Sequence, residues 1–385
     1  MLRPMSGFAV GMLTFVLSCC FSSCVDDTFG KYDQGASGPL SFAVNVPDGW
    51  TNGSTRAADT DISIKKMSQS GGLQQLYLVT EVSEAAVEAA TPDAVTRGAP
   101  VTSGDKFIEQ SFGLSAICYA GGWPDNSEEE KQLTTNFAHN LRVKKSPTGT
   151  EEWIPQSKLD WLGSGNIKFF AYSPYSEDFK PDNEPGSGDE TENSVAGGNL
   201  SHSAPTASGI PTLTYTVSTV AKNQPDLMVA VSDVHDQGKG NNGAVQLQFR
   251  HALTAVTVKT GKEMLKGIIK EVTFSDVYGK GTYQFATNAD NLGSWTTDGE
   301  RPGDFTIARE VAVSNTEDTG GTEDTQEKEN NYVDPDNPVS IVDGEFTLMM
   351  IPQTLPKEAK LTIEFVNEMT GREHTLTANL SPEGK

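Results

Sequence analysis

Apolar and polar residues alternate with a period of two in short runs along most of the chain. From Pro39, PLSFAVNVPDGW sets Leu40, Phe42, Val44 and Val46 on one face, the pattern of a strand with one buried side. The same pattern, or a short apolar run, predicts strands in LQQLYLVTEVS (73–83), SFGLSAICYAGGW (111–123), NIKFFAYSPY (166–175), TLTYTVS (212–218) and DLMVAVS (226–232). GAVQLQFRHALTAVTVKTG (243–261) alternates around Val245, Leu247 and Phe249, then around Val256 and Val258. IIKEVTFSDV, GKGTYQFA, EFTLMMIPQTL, AKLTIEFVNE and REHTLTANL follow, each short and bounded by Gly, Pro, Asn or Asp. Helical periodicity is almost absent. Residues 84–96, the Ser/Gly/Asn-rich and acidic stretch 176–211 and the acidic stretch 314–338 read as loops.

Evenly spaced short strands with turn signals predict an all-β chain of sandwich domains. The length of 385 residues suits two of them in tandem. The Gly-rich DQGKGNNG sets the expected boundary, giving an N-terminal domain over 39–240 and a C-terminal domain over 241–385. The sequence stops at LSPEGK just after a strand pair, so the second sandwich is expected to be short of one strand, as in a C-terminally truncated piece.

The first residues follow another logic. Arg3 precedes an apolar run, Phe8–Phe21, of signal-peptide length and too short to span a bilayer comfortably. Ser22 and Ser23 then give a slim approach to Cys24, followed by Val25, Asp26 and Asp27. This is the arrangement of a lipoprotein signal over 1–23, with Cys24 taking a diacylglycerol on sulfur and 24–38 as a flexible tether. Cys19 is a second position for the lipid, at the cost of leaving apolar Phe21 in the mature tail. An ordinary secretory signal is the plainer alternative. Lipid chains contribute about 0.8 kcal/mol per buried CH₂, so several on one cysteine anchor stably.

Charge and cysteine content narrow the function. Asp and Glu number 52 against 29 Lys and Arg, a net charge of -23. That excludes a nucleic-acid partner, whose phosphates need a basic face, and it suits a self-repelling protein at a cell surface. Of four cysteines, only Cys118 follows Cys24, so no disulfide is expected within the mature chain.

Catalytic patterns are missing. The five histidines, 139, 202, 235, 251 and 374, occupy no metal-ligand spacing. There is no nucleophile elbow and no phosphate-binding loop. His251 reads as a structural strand residue. The triplet Asp233, His235 and Asp236 and the stretch DPDNP read as solvated loops rather than cation sites. No metal, cofactor or catalytic residue is expected. A glycosidase pair of carboxylates is set by space rather than spacing, and 52 acids supply chance pairs.

Several stretches together resemble the fimbrillin-like proteins, lipoprotein subunits of type V pili in Gram-negative anaerobes. They are SFAVNV after the tether, TRGAPVTS (96–103) leading into FGLSAICYAGGW, FFAYSPY, PDLMVA, the run from Phe249 through His251 to Val258, and FTLMMIPQTL before LTIEF. They cover most of residues 40–366, and their order and spacing carry more than any one motif. The resemblance implies two transthyretin-like β-sandwich domains and export to the outer membrane. It implies cleavage after an arginine by a trypsin-like protease, removal of the first strand, and replacement of that strand by one from a neighbouring subunit. The displaced strand would hold Leu40, Phe42, Val44 and Val46. Arg56 (STRAAD) would release that strand alone, and Arg97 (VTRGAP) would release two strands; the alternative is that both are solvated loop arginines, never cut. Partners would be other pilus subunits, the outer membrane through lipid, the protease, and a host or bacterial surface ligand. The rival reading is a surface glycan-binding lipoprotein of a polysaccharide-uptake system. It predicts a flat platform of exposed tryptophans drawn from Trp50, Trp123, Trp153, Trp161 and Trp295.

Overall fold

The structure, a computed structural model, describes residues 38–46, 61–69, 77–82, 101, 107, 111–124, 127–147, 151–176, 200–237, 243–256, 258, 267–301, 303–308, 332–333 and 347–381. They lie within one unit, Gly35–Lys385. Strands dominate them, as the alternation predicts; helix is scarce, with one turn at Ser127–Glu130 and a 3₁₀ turn at Ala221–Asn223.

The largest sheet is built from β1 (Phe42–Asn45), β5 (Phe112–Tyr119), β6 (Ala138–Lys145), β7 (Trp153–Pro155), β8 (Asn166–Ser173), β11 (Met228–Val231), β13 (Val245–Gln248) and β14 (Arg250–His251). Its order is β13-β1-β7-β6-β5-β8-β11-β14, with β12 (His235–Asp236) also on β8. β13 and β14 are one stretch of chain interrupted at Phe249. The order therefore begins and ends on the same segment, and the sheet closes on itself.

Closure gives this sheet an inner core. Leu40, Phe42, Phe112, Leu114, Trp153, Phe169, Ala171, Met228, Val245, Leu247 and Phe249 are buried together there. The opposite face of the middle strands feeds a second core through Ile117, Phe170, Tyr172, Val229 and Val231. Successive strand residues point to opposite faces, so β8 sends Phe169 and Ala171 one way and Phe170 and Tyr172 the other. A strand covered on both faces needs a nearly continuous apolar run, which is what NIKFFAYS supplies.

The second core is completed by two further sheets. One has the order β18-β17-β10-β9, from β9 (Leu200–His202), β10 (Thr212–Thr216), β17 (Lys280–Gln284) and β18 (Ser294–Thr297). The other runs β19-β16-β22-β23-β3, from β3 (Ser68–Gln69), β16 (Gly267–Ser275), β19 (Phe305–Ala308), β22 (Lys360–Asn367) and β23 (Glu373–Asn379), with β20 (Tyr332–Val333) on β16. Two ribbons remain, β15 (Thr254–Val256) with β21 (Leu348–Met350), and β2 (Asp61–Lys66) with β4 (Tyr77–Val82). Gly267 shows how close the second sheet packs. A Cβ there would sit 2.1 Å from the Val366 carbonyl oxygen and 2.4 Å from the Phe365 ring.

The expected boundary at 240/241 falls between β12 and β13. Pairings cross it where β13 joins β1, where β10 joins β17, and where β3 joins β23. On the side of β23 away from β22, Ser68 and Gln69 pair with Thr377 and Leu376.

Candidate functional site: the slot of the first strand

β1 sits between two strands and meets them unequally. Along β13 it pairs in parallel over its whole length, from Phe42 opposite Val245 to Asn45 opposite Gln248. Along β7 it meets Trp153 alone, at Phe42. The N–H of Val245 donates to Ser41 O at 2.9 Å and that of Phe249 to Asn45 O at 2.9 Å. The lead-in is held too: Leu40 N–H donates to Leu159 O at 2.8 Å and Trp161 N–H to Gly38 O at 3.1 Å.

The side chains follow the period-two pattern. Leu40, Phe42 and Val46 are buried, Phe42 completely, and Val44 packs against the same core at partial exposure. The Phe42 ring meets Phe169 edge-on at 5.3 Å and Phe112 at 6.2 Å. Behind it Phe107, Phe112, Trp153 and Phe249 form a chain of rings with centroids 4.7 to 5.6 Å apart. Each large apolar side chain buried this way contributes about 1.5–3 kcal/mol. Without β1 the sheet would lose its closure, β13 and β7 would become open edges, and the aromatic cluster would face water.

One buried polar group braces the slot from behind. Asp226 accepts the Val101 N–H at 2.8 Å and the Nδ1–H of His251 at 2.9 Å, with both side chains essentially inaccessible. The pair ties β14, the turn before β11 and the chain just beyond TRGAP to one carboxylate. Sequence reasoning gives His251 a structural role but finds no local partner. The partner lies in PDLMVA, in space rather than in spacing. β7 is also missed, because WIP is too short to show alternation.

Cys24, Arg56 and Arg97 lie outside the described residues, as does DPDNP. The elements between the two arginines are described in part. Ser68 and Gln69 pair with β23, Lys65 Nζ donates to Ser381 O at 2.5 Å, Met67 is buried in the second core and Leu78 packs on it. β1 therefore belongs to the first core, while residues 65–69 belong to the second.

The remaining sequence candidates are dispersed. His235 packs between Trp161 and Phe169 with ring centroids 6.1 Å away on both sides. Burial holds its imidazole below the ordinary value, with Asp233 pulling the other way. His202 Nε2 lies 2.9 Å from Ser115 Oγ, but that hydroxyl is 1% exposed and also accepts the Asn140 N–H. A nucleophile closed off in this way meets no substrate. Cys118 has its thiol pushed up by burial, against the hydrogen bond from Gln237 at 3.2 Å. Among the described residues no cluster of three or more His, Cys, Asp or Glu is arranged to hold a metal ion, and no helix is long and apolar enough to cross a membrane. Trp153 and Trp161 are buried and Trp123 and Trp295 half-buried, so the four described tryptophans form no flat exposed platform.

Residues 122–383 match the model of the fimbrillin-like family. The chain belongs to that family. A fimbrial protein from Bacteroides vulgatus ATCC 8482, solved by crystallography at 2.55 Å, is similar at 19% identity, covering 73% of this chain and 85% of that one, with a TM-score of 0.46. No curated protein matches. The fimbrillin-like match begins after β5, so the slot-filling strand β1 lies upstream of it.

Proposed function

We propose that this fimbrillin-like protein is a pilus subunit whose β1 is a removable plug. It is exported on a lipoprotein signal, anchored to the outer membrane through lipid on Cys24, and matured by a trypsin-like protease acting after Arg56 or Arg97. Loss of β1 opens the closed sheet between β13 and β7, and a strand from a neighbouring subunit fills the gap. The filament that forms contributes to adhesion. The single observation that supports this most is the seating of β1: it closes the sheet with its alternate residues in an aromatic core, yet its ladder is a short parallel pairing with a distant strand and a single pair with β7. Extended strands add to open sheet edges through the backbone ladder, while pockets for alternate side chains give specificity.

Limited trypsin digestion of the full chain, read by intact mass and by size, tests the reading. The expected result is a cut after Arg56 or Arg97, loss of the N-terminal piece and growth of oligomers. A cut chain that keeps β1 and stays monomeric would overturn it.

A further inference from the structure

A groove of about 780 Å³ opens on the second core, away from the β1 slot, where the start of β17, the strand β18 and the segment after β21 meet. Tyr278, Trp295, Thr296, Thr297, Thr354 and Leu355 line it, with Pro352 and Pro356 as stiff walls. Its size is that of small-ligand sites, about 300–1,000 Å³.

The Trp295 indole is held by its edge, and the main chain of Tyr278 is pinned beside it. Trp295 Nε1–H donates to Ala252 O at 2.6 Å, and its ring leans on Tyr283 at 5.3 Å. The Gln353 amide pins the Tyr278 main chain, accepting its N–H at 2.8 Å and donating to its carbonyl oxygen at 2.7 Å. The Arg301 guanidinium sits over the Tyr278 ring at 5.5 Å.

Charge around the groove is already compensated. Lys280 pairs with Glu300 at 2.9 Å and Asp298 at 3.4 Å, and Arg301 with Asp276 at 3.1 Å and Glu358 at 3.5 Å. The lining residues carry no formal charge, in a chain whose net charge is -23. Such a groove offers an ionic ligand no partner. It offers the Trp295 indole to a flat apolar face and threonine hydroxyls to a polar rim. The ligand chemistry that meets both is a neutral saccharide, with C–H faces and hydroxyl edges. We propose that this groove binds neutral oligosaccharide chains. The site is a cleft holding one tryptophan and one tyrosine, not a platform, and it does not depend on strand exchange.

Calorimetry and tryptophan fluorescence on the full chain test this with maltohexaose, xylohexaose, mannohexaose and N-acetylchitohexaose. A heparin hexasaccharide and a proline-rich peptide serve as the ionic and peptide probes. At least one neutral sugar is expected to bind, with a change in fluorescence. Trp295→Phe and Thr354→Arg should each weaken that binding about tenfold or more, and Trp123→Phe should leave it unchanged. Thr354 is exposed, so Thr354→Arg blocks the groove without touching the bonds that hold Trp295. The proposal is overturned if no neutral sugar binds, if Thr354→Arg leaves the affinity intact, or if either of the other probes binds more tightly. Digestion and assembly would be unaffected by any of these outcomes, so the pilin reading stands or falls separately.

Discussion

The two cores of this protein are closed by strands of opposite character. In the second core, β22 and β23 are consecutive, joined by a tight turn, and share seven antiparallel pairs from Lys360–Asn379 to Val366–Glu373. β16 adds eight more along the other side of β22. In the first core the closing strand β1 makes four pairs, all parallel, with a strand some 200 residues later in the sequence, and one pair with β7. Parallel pairing is slightly weaker per residue, and closing a long loop costs more chain entropy than closing a hairpin. β1 is therefore held mainly by side-chain burial, whereas β23 is held by its ladder as well. A strand fastened by its side chains can be exchanged for another of matching pattern. A strand woven into a hairpin cannot leave without taking its sheet apart.

The largest expected effect comes from removing the anchor of β1. Phe42→Ala should destabilise the first core by about 3–5 kcal/mol, read by denaturant unfolding. Hydrogen exchange should accelerate at Ala43–Asn45 while the β22–β23 amides keep their protection. Equal loss in both places would erase the distinction between the cores. Next is the brace behind the slot. Asp226→Asn keeps one acceptor for two buried donors and should cost about 1–3 kcal/mol, with exchange rising first at Val101. A change confined to the second core would separate the Asp226–His251 pair from the slot.

The smallest effect is a pH dependence. His235 has a folded value below its ordinary 6.5 because burial disfavours the imidazolium. The unfolded chain then binds the extra proton first, so stability is full above pH 6.5 and falls as pH drops through that value toward the folded one. His235→Gln should flatten the unfolding midpoint against pH over that window. A slope that survives the substitution belongs to another group.

The strand pattern of both cores was readable, from alternation or from a short apolar run, where strands are long or flanked by Gly and Pro. TLTYT, KLTIEFVN and EHTLTAN fold where their period places them, and NIKFFAYS where its apolar run does. The short or mixed strands AHNLRVKK, WIP and SWTT carry too few alternating apolar residues to stand out. Leu40, Phe42, Val44 and Val46 were legible as one face because every second residue is apolar. What they face was not legible. The parallel partner β13, the carboxylate of Asp226 under His251, and the meeting of Ser68–Gln69 with β23 are contacts between residues far apart in the chain, and periodicity reports only neighbours. The groove on the second core was equally hidden, because Tyr278, Trp295 and Gln353 come from three separate segments.

The most direct test of an exchangeable β1 is peptide replacement. The chain is cut within residues 47–60 by an inserted protease site and incubated with a labelled peptide of sequence GPLSFAVNVP, residues 38–47. The native segment is expected to leave and the labelled peptide to take its place in the folded protein, whereas a peptide carrying Asp at the position of Phe42 is expected to stay out. Retention of the original segment, or equal uptake of both peptides, would contradict it.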